Sequence, residues 1–479
     1  MNPARESRNT RDCPVSTSST AALAHAEQAQ WRTVAFYGDA VADLDAAMAA
    51  DPGWGLACIA KADFLLTLTE PLLVPEARAL LVAAEPLMAH ANARERAHFA
   101  AAKLCAAGRW REAGVLWDGI LLQHPRDLLA LNSAHLFDFY RGDALSLRAR
   151  VARVLPEWPA DDPLRPFVLG MLAFGLEECN QYAQAEDTGR HALAANPRMP
   201  WAVHAVAHVM EMQGRHAEGA EWLRSREADW APDNGLSVHL WWHLALFKLE
   251  TLDTAGALAL FDAHISGAAS VVNLQWLDGA ALLWRLRLLG VDLGPRWQGL
   301  ASDWTQPEQL AGHYAFNDCH ALLALIGSGE PGRAQALLET ATARAAQGDE
   351  DNRAMAGEVG LPLMQALLAH AAGDHATAVR LLYPLRRVAH HFGGSHAQRD
   401  LIDQTLLAAA CSASGGHERA AGRALLNERR QAKPATPLTA HWAARLGLQE
   451  NWCPTSGEYA GRSPKGTVAR LGAARRSAG

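Results

Sequence analysis

The segment REAGVLWDGILLQHP (residues 111–125) decides the fold class, because related segments occur on either side of it in the chain. GDAVADLDAAMAADP spans residues 38–52, and YAQAEDTGRHALAANP spans residues 182–197. All three segments end in a proline, and these prolines are 73 and 72 residues apart. When the prolines are aligned, the following residues coincide: Ala40, Ala113 and Ala185; Leu44 and Trp117; Ala47 and Ala192.

The spacing of the prolines is close to twice a repeat unit of about 36 residues, and the shared pattern is typical of the second helix of a tetratricopeptide repeat. Small residues allow two helices to approach closely, a large apolar residue fills the space between them, and proline ends the helix. The third copy departs from the pattern, because Gly189 stands where the large residue is expected. The sequence therefore predicts an all-α, tetratricopeptide-like α-solenoid, a right-handed superhelix of antiparallel helix pairs with essentially no sheet.

Length and composition agree with a helical repeat array. The chain has 479 residues, 49 % of them hydrophobic, and few stretches alternate apolar and polar residues as a β-strand does. The net charge of −7 arises from intermixed acids and bases, so we expect no nucleic-acid partner. The seven cysteines form no CxxC pair, as expected in a reducing compartment. Because there is no secretory signal and no apolar run long enough for a membrane span, the expected location is cytoplasmic.

Three regions are expected along the chain. Residues 1–20 should form a disordered N-terminus, residues 21–450 the tetratricopeptide-like repeat domain, and residues 451–479 a disordered basic tail. The tail offers too little apolar surface to offset the entropy of ordering it. In the second half of the repeat domain, helices are expected at residues 235–265, 274–290, 312–327, 332–346, 354–372, 375–391 and 397–412.

Two histidine pairs recur with the period of the repeat. In WAVHAVAHVMEMQGR (residues 201–215), His204, His208 and Glu211 have the spacing that places side chains on one stripe of a helix. LSVHLWWHLALF then contains His239 and His243, each 35 residues after its counterpart in the first pair. Ionisable groups on an apolar helix are costly to bury unless they face water, one another, a ligand or a metal.

The 35-residue offset equals about one repeat, so the two histidine pairs should lie on adjacent first helices that line the concave wall of the superhelix. We expect the four imidazoles to form a small square there, with Glu211 at its edge. Asp278, 35 residues after His243, should add an acid on the next helix. Imidazoles are ligands for divalent metals such as Zn, Fe or Mn, or they shuttle protons near neutral pH. The alternative is a solvated or hydrogen-bonded groove face without a metal.

Several longer motifs occur along the chain. They are the two histidine segments, FNDCH (316–320), GLPLMQALL (360–368), GGSHAQRDLIDQTLL (393–407) and RALLNERRQAKPATPLT (423–439). Together these motifs resemble the tetratricopeptide repeat protein 38 family, from about residue 30 to about residue 447 and in colinear order. The resemblance implies a tetratricopeptide-like superhelix without a firmly assigned activity.

The resemblance singles out further residues that a scaffold alone would hardly require. These are His135, Glu178, Asn317, Asp318, His320, Gln398, Arg399 and Asp400, with His396 less regular in the family. Each has a simpler interpretation. Ser395 and Gln398 have the spacing of a capping box, and the two preceding glycines would then only form a free loop. Asn317 or Asp318 could start a helix, and the adjacent Trp241 and Trp242 could pack repeats together.

Two functions remain open after the sequence is considered. In the first, the protein binds a partner segment or a small acidic molecule in its concave groove, with His135, Glu178, Asn317, His320 and Arg399 as candidate ligand-binding residues. In the second, it is a metal-dependent enzyme: the histidines and Glu211 hold a divalent metal, Arg399 orients an acidic substrate, and Asp318 or Asp400 acts as base. An enzyme requires these groups to converge in one pocket, whereas a scaffold requires a broad open surface.

Overall fold

The computed structural model describes residues 7–267 and 272–448, so the predicted basic tail at 451–479 lies outside the described residues. Helices account for most of the described chain. The first ten are α1 (Thr20–Ala35), α2 (Ala40–Ala50), α3 (Gly55–Thr67), α4 (Val74–Ala84), α5 (Ala93–Ala106), α6 (Trp110–Gln123), α7 (Leu128–Tyr140), α8 (Ala144–Val154), α9 (Arg165–Glu178) and α10 (Tyr182–Ala195).

The central helices carry both histidine pairs. They are α11 (Pro200–Met212), α12 (His216–Ser225), α13 (Glu227–Trp230), α14 (Ser237–Glu250), α15 (Thr254–Leu260), α16 (Asn273–Leu288), α17 (Arg296–Asp303) and α18 (Pro307–Leu310). The stretch predicted as one helical segment at 235–265 is interrupted, because the turn at 251–253 separates α14 from α15 and a π-helical turn follows at Phe261–Ile265.

The remaining helices complete the array. They are α19 (Ala315–Gly327), α20 (Pro331–Gln347), α21 (Asp351–Met355), α22 (Leu361–Ala371), α23 (His375–Leu385), α24 (His396–Ser412), α25 (Gly416–Ala432) and α26 (Pro437–Arg445). Consecutive helices pack in pairs, as α1 does with α2, α5 with α6, and α22 with α23. Within the described ranges, the only β-type pairings are two isolated bridges. The prediction of an all-α array of helix pairs is confirmed.

The repeated small–large–small pattern marks helix contacts, as the sequence predicted. Trp117, the large residue of the second copy, is fully buried and stacks on Phe137 at a centroid distance of 5.7 Å. In the third copy, a close contact between two helices explains why Gly189 stands where the large residue is expected. A Cβ there would lie 2.7 Å from Cγ2 of Val206, because α10 and α11 approach each other closely. The irregular copy therefore reflects tighter packing of the two helices.

The helix array closes on itself, because loops of the first repeats contact residues far along the chain. The backbone N–H of Gly235 donates to the carbonyl of Phe36 (2.8 Å). The side-chain amide of Asn317 donates to the carbonyl of Thr69 (3.1 Å), across 248 residues of sequence. Side chains on the inner wall are therefore covered by other parts of the same chain.

Two glycines permit part of this closure. Gly142 has φ +65°, and a Cβ on it would lie 1.6 Å from the carbonyl oxygen of His390. Gly393 has φ +84°, and its Cβ would lie 2.3 Å from the carbonyl oxygen of Tyr140. Left-handed backbone and close backbone contact both favour glycine. The interpretation that the glycines before α24 only form a free loop is therefore wrong for Gly393.

The described part of the N-terminal segment is ordered against the repeats, contrary to the disorder expected for residues 1–20. Within residues 7–19, Cys13 and Val15 are buried. The backbone N–H of Ser16 donates to the carboxylate of Glu95 on α5 (2.9 Å). Apolar burial and long-range hydrogen bonds offset the ordering entropy that the polar composition suggested would prevail.

In the part of the chain that the structure describes, no helix combines the length and the apolarity that crossing a membrane requires.

Candidate metal centre

Four histidine side chains meet inside the array, at facing positions of α11 and α14. Proline at the first position of α11 starts that helix, and four-residue spacing then aligns each pair on one face. The distances between Nε2 atoms are 2.9 Å for His204–His208, 3.0 Å for His204–His239 and 3.2 Å for His239–His243. One ligand atom from each of the four lies within 4.8 Å of the others. The structure thus brings together the four residues that the 35-residue offset placed side by side.

Carboxyl groups lie within hydrogen-bond distance of the outer nitrogen in two of the four imidazoles, those of His239 and His243. Asp278 Oδ2 lies 2.8 Å from Nδ1 of His239, and Glu211 Oε2 lies 3.0 Å from Nδ1 of His243. The period of the repeat predicted Asp278, and helix spacing predicted Glu211. In this arrangement the Nε2 atoms approach one another, while Nδ1 of His239 and Nδ1 of His243 each contact an acid.

A third carboxyl, that of Glu177, was missed by the sequence analysis. Its Oε2 lies 3.6 Å from Nδ1 of His208, and neither carboxyl oxygen has a hydrogen-bond partner in the structure. Glu177 lies on α9 and does not share the 35-residue period. The available sequence signal was its position next to Glu178, which the family resemblance had singled out.

Burial keeps three of the four imidazoles, those of His204, His208 and His243, uncharged. His208 and His243 are fully buried and His204 is nearly so, and desolvation lowers the pKa of each of the three well below the usual histidine range. Burial also raises the pKa of Glu211 to about 8. The neutral imidazole is the form that binds a metal ion.

The cluster does not face an open groove, and that part of the prediction is wrong. The α24 helix packs against α11 and α16 beside it, and Arg285 of α16 donates to the carbonyl of Ala397 (2.8 Å). Trp242 stacks on the ring of His239 at a centroid distance of 5.2 Å. Of the four histidine side chains, that of His239 is the most exposed, at 16 %. Closure of the array converts the concave wall into an interior surface.

His135 and His320 do not join the four-histidine cluster. His135 is buried with its ring at centroid distances of 6.4 Å from Phe174 and 6.0 Å from Trp201. His320 is buried on α19, where its Nδ1 lies 2.8 Å from the carbonyl of Phe316. Desolvation lowers the pKa of His135 to about 3 and that of His320 to about 4. Both are neutral core histidines, which contradicts a shared ligand site.

Glu178 and Arg399 bind each other, which counts against the prediction that they hold a ligand. Glu178 Oε1 accepts from the backbone N–H of His396 (3.0 Å), and its Oε2 accepts from Arg399 Nη2 (3.1 Å). The predicted capping box of Ser395 and Gln398 is present at the start of the same helix. The anion at the N-terminus of α24 is therefore supplied by the chain itself, which fastens α9 to α24.

The two candidate bases do not share a pocket. Asp400 lines a charged cavity of about 580 Å³ between α8, α24 and α25, whereas Asp318 lines a separate cavity of about 60 Å³. Burial alone would raise the pKa of Asp400, but the adjacent Arg429 guanidinium holds it below its ordinary value. Asp400 is thus a poor base. Neither Asn317 nor Asp318 caps a helix, because both lie inside α19.

Comparisons with known proteins add little to this geometry. A search against models of protein families finds no match. The human IFIT1 dimer with m7Gppp-AAAA aligns with 93 % of this chain and 97 % of its own at 12 % identity, with a TM-score of 0.36. A monomeric IFIT1 mutant with Gppp-AAAA aligns with 88 % of this chain and 99 % of its own at 12 % identity, with a TM-score of 0.38. Such scores support no conclusion about function. Membership of the tetratricopeptide repeat protein 38 family and the absence of a nucleic-acid partner stay predictions.

Proposed function

We propose that this protein is a metal-binding helical-repeat protein, in which the Nε2 atoms of four histidines hold one divalent transition-metal ion. The observation that supports this proposal is the mutual approach of the four Nε2 atoms, together with the carboxyl groups that contact the outer nitrogens of His239 and His243. Metal-bound histidines almost always donate their other ring N–H to a carboxylate, a backbone carbonyl or water. The arrangement around His239 and His243 has that form.

Hydrogen-bond chemistry favours a cation at the centre of the cluster. If Nδ1 of His239 and Nδ1 of His243 each carry a proton and donate it to Asp278 and Glu211, the two Nε2 atoms hold only lone pairs. Those atoms are 3.2 Å apart in a buried site, where facing lone pairs repel. A metal ion between them removes this repulsion. A chain of hydrogen bonds among neutral imidazoles is the competing account, and metal analysis distinguishes the two.

The distances suit a tetrahedral ion. In a tetrahedral site with bonds of about 2.0–2.1 Å, ligand nitrogens are separated by about 3.3 Å. The observed separations of 2.9, 3.0 and 3.2 Å lie slightly below this value. Four nitrogen donors without an oxygen ligand suit Zn²⁺ better than Mn²⁺, which prefers carboxylate and water. Zn²⁺ is therefore the proposed ion among the Zn, Fe and Mn considered from the sequence.

Metal binding is supported more strongly than catalysis by a metal-dependent enzyme or the binding of a partner in an open groove. Four protein ligands fill a tetrahedral sphere, and catalytic zinc sites keep one position open. Asp400 is paired with Arg429, and Asp318 lines another cavity. A peptide-binding groove would need the histidine wall to be accessible, and that wall is covered by α24. The proposed role of the ion is to join adjacent repeats around the closed interior.

The test is elemental analysis of the purified full chain, followed by removal of metal with a chelator and titration with Co²⁺. We expect about one ion per chain and, with Co²⁺, the intense visible absorption of a tetrahedral complex. Bound metal that survives dialysis in the native protein would agree with this. A chain that retains no metal and gives only the weak spectrum of hydrated Co²⁺ would establish the hydrogen-bonded histidine cluster instead.

A further inference from the structure

A small cavity, where the loop after α3 meets later helices, is lined by Asn317 and Asp318 of the FNDCH motif. Its volume is about 60 Å³. It lies between the loop that joins α3 to α4 and the helices α16, α18 and α19. The residues that give it its chemistry are Glu70, Asn317, Asp318, Trp276, Trp304 and Tyr314.

Three of the polar residues that line this cavity, Glu70, Asn317 and Asp318, carry hydrogen-bond acceptors. Both N–H groups of the Asn317 amide are directed to Thr69, with distances of 3.1 Å to its carbonyl and 3.0 Å to its hydroxyl. These bonds fix the orientation of the amide. The Oδ1 atom of Asn317 has no hydrogen-bond partner, although the residue is only 5 % exposed. A buried acceptor without a donor is costly, so a donor from a ligand would satisfy it.

Two carboxyl groups accompany this amide. Glu70 accepts one hydrogen bond, from the backbone N–H of Asn273 (3.0 Å). Asp318 accepts one from the backbone N–H of Gly312 (2.9 Å). Each bond involves one carboxyl oxygen, so the second oxygen of each group is available to a further donor.

The walls of the cavity are aromatic, and no cation lines it among the residues that the structure describes. Trp276 and Trp304 meet at a centroid distance of 5.7 Å and an angle of 67°. The Arg344 guanidinium lies nearby but donates to the carbonyls of Leu310 and Gln309 (3.1 Å each). Carboxylates, an amide oxygen and aromatic faces together recognise organic cations.

We propose that this cavity binds the head group of a small primary alkylammonium ion. A primary ammonium has three N–H donors, which match the amide oxygen of Asn317 and the carboxylates of Glu70 and Asp318. A cavity of about 150 Å³ holds benzene, so the present volume suits an ammonium nitrogen with one or two carbons. A longer alkyl chain would leave past Leu72, which lines the cavity and is 56 % exposed.

The binding should be strongest in mildly alkaline solution. Burial raises the pKa of Asp318 to about 7 and raises that of Glu70 above its ordinary value. Both carboxyls must be ionised to pair with an ammonium ion, and pH 8 favours the ionised Asp318 while alkylammonium ions stay protonated. A bound cation would itself stabilise the charged form of both groups.

Calorimetric titration of the full chain at pH 8 tests the site, with ethylammonium chloride as the test compound. We expect one binding event per chain, at least about tenfold tighter than that of tetramethylammonium, which has no N–H donor and is too large for the cavity. Sodium acetate should not bind. Equal binding of tetramethylammonium, tighter binding of acetate, or no binding of ethylammonium at about 10 mM would overturn the proposal.

Two independent substitutions sharpen the result. Asp318→Asn and Glu70→Gln should each weaken ethylammonium binding by about ten- to a hundredfold, because each removes a charge-assisted hydrogen bond. Glu85→Gln changes an exposed carboxylate elsewhere and should bind like the wild type. If Asp318→Asn fails to fold, Glu70→Gln decides alone, and wild-type affinity in it would refute the site. His208→Ala should bind ethylammonium normally, which separates this proposal from the metal centre.

Discussion

The four-histidine cluster and a second buried cluster, formed by Arg94, His98 and Asp127, differ in how their charges are balanced. In the second, Asp127 Oδ2 accepts from Arg94 Nε (2.5 Å) and lies 2.9 Å from His98 Nε2. Burial alone would raise the pKa of Asp127, but the Arg94 guanidinium and His98 hold it below its ordinary value. This cluster contains its own cation next to its acid.

The four-histidine cluster lacks such a partner. Burial lowers the pKa of His204, His208 and His243, so these imidazoles are neutral, and it raises the pKa of two nearby carboxyls, those of Glu177 and Glu211. No Lys or Arg forms an ion pair with either of these two carboxyls among the described residues. A divalent ion would supply the missing positive charge. The comparison teaches that a buried polar cluster with its own counter-charge is structural, whereas one without it is a candidate for an external ion.

The largest expected effect is on metal binding, when one histidine in each cluster is replaced by alanine. His208→Ala should lower metal affinity by more than about a hundredfold, exceeding the usual loss when only a ligand's hydrogen-bond partner is removed. His98→Ala should leave the metal content of the purified protein unchanged, although it leaves Asp127 with one partner fewer. Metal content per chain measures both. Equal metal loss in the two variants would contradict the proposal that only the four-histidine cluster binds the ion.

The next largest effect concerns the cluster formed by Arg94, His98 and Asp127. Arg94→Met leaves the buried carboxylate of Asp127 without its guanidinium and should cost about 3–5 kcal/mol of stability. The matched control is Arg109→Met, which removes an exposed ion pair with Glu112 and should cost less than about 1 kcal/mol. Midpoints of urea denaturation in the presence of metal give both values. A similar shift in the two variants would show that burial of the pair is unimportant.

Asp63 provides a pH-dependent test of an uncompensated carboxyl. Burial raises the pKa of Asp63 to about 8, so the folded state favours the neutral acid, while the unfolded chain ionises near the ordinary value of about 4. The stability contribution is fully present below about pH 4 and is lost as pH rises toward 8. Asp63→Asn should remove this slope, on the order of 3 kcal/mol between pH 5 and 8.

Thermal denaturation at a series of pH values measures that slope. Asp45→Asn, which changes an exposed carboxylate of α2, should keep the wild-type dependence. If Asp63→Asn shows the same loss of stability with rising pH as the wild type, other buried acids account for the dependence.

The smallest expected effect concerns the carboxylate that orients His239, one of the proposed metal ligands. Asp278→Asn replaces the carboxylate 2.8 Å from Nδ1 of His239 with a neutral amide of equal size. Metal affinity should fall by about 10–100-fold, and a tetrahedral Co²⁺ spectrum should persist at saturating metal. Glu339→Gln, on the exposed face of α20, serves as control. Unchanged affinity in Asp278→Asn would mean that this carboxylate does not orient the imidazole for a metal.

Local periodicity in the sequence predicted much of the fold and part of the candidate site. The aligned prolines predicted helix pairs because a helix has a fixed period and proline ends it. The same regularity placed His204 beside His239, and it placed Asp278 on the following helix. These relations were readable because neighbouring repeats repeat the same contacts.

Other features could not be read from the sequence, because they depend on contacts between distant segments. Glu177 reaches His208 from a helix outside the 35-residue period, and Glu178 holds Arg399, which lies 221 residues away. The expected groove was closed by α24 for the same reason.

The sequence by itself determined the helical repeats, the shared face of each histidine pair and the offset between the pairs, because these follow from helix geometry over one or two repeats. The tertiary structure alone decided that the wall is buried, that Asp318 and Asp400 are apart, and that a third carboxyl, that of Glu177, lies beside His208. Such outcomes depend on contacts between segments that are far apart in the sequence, and no local residue pattern encodes those contacts.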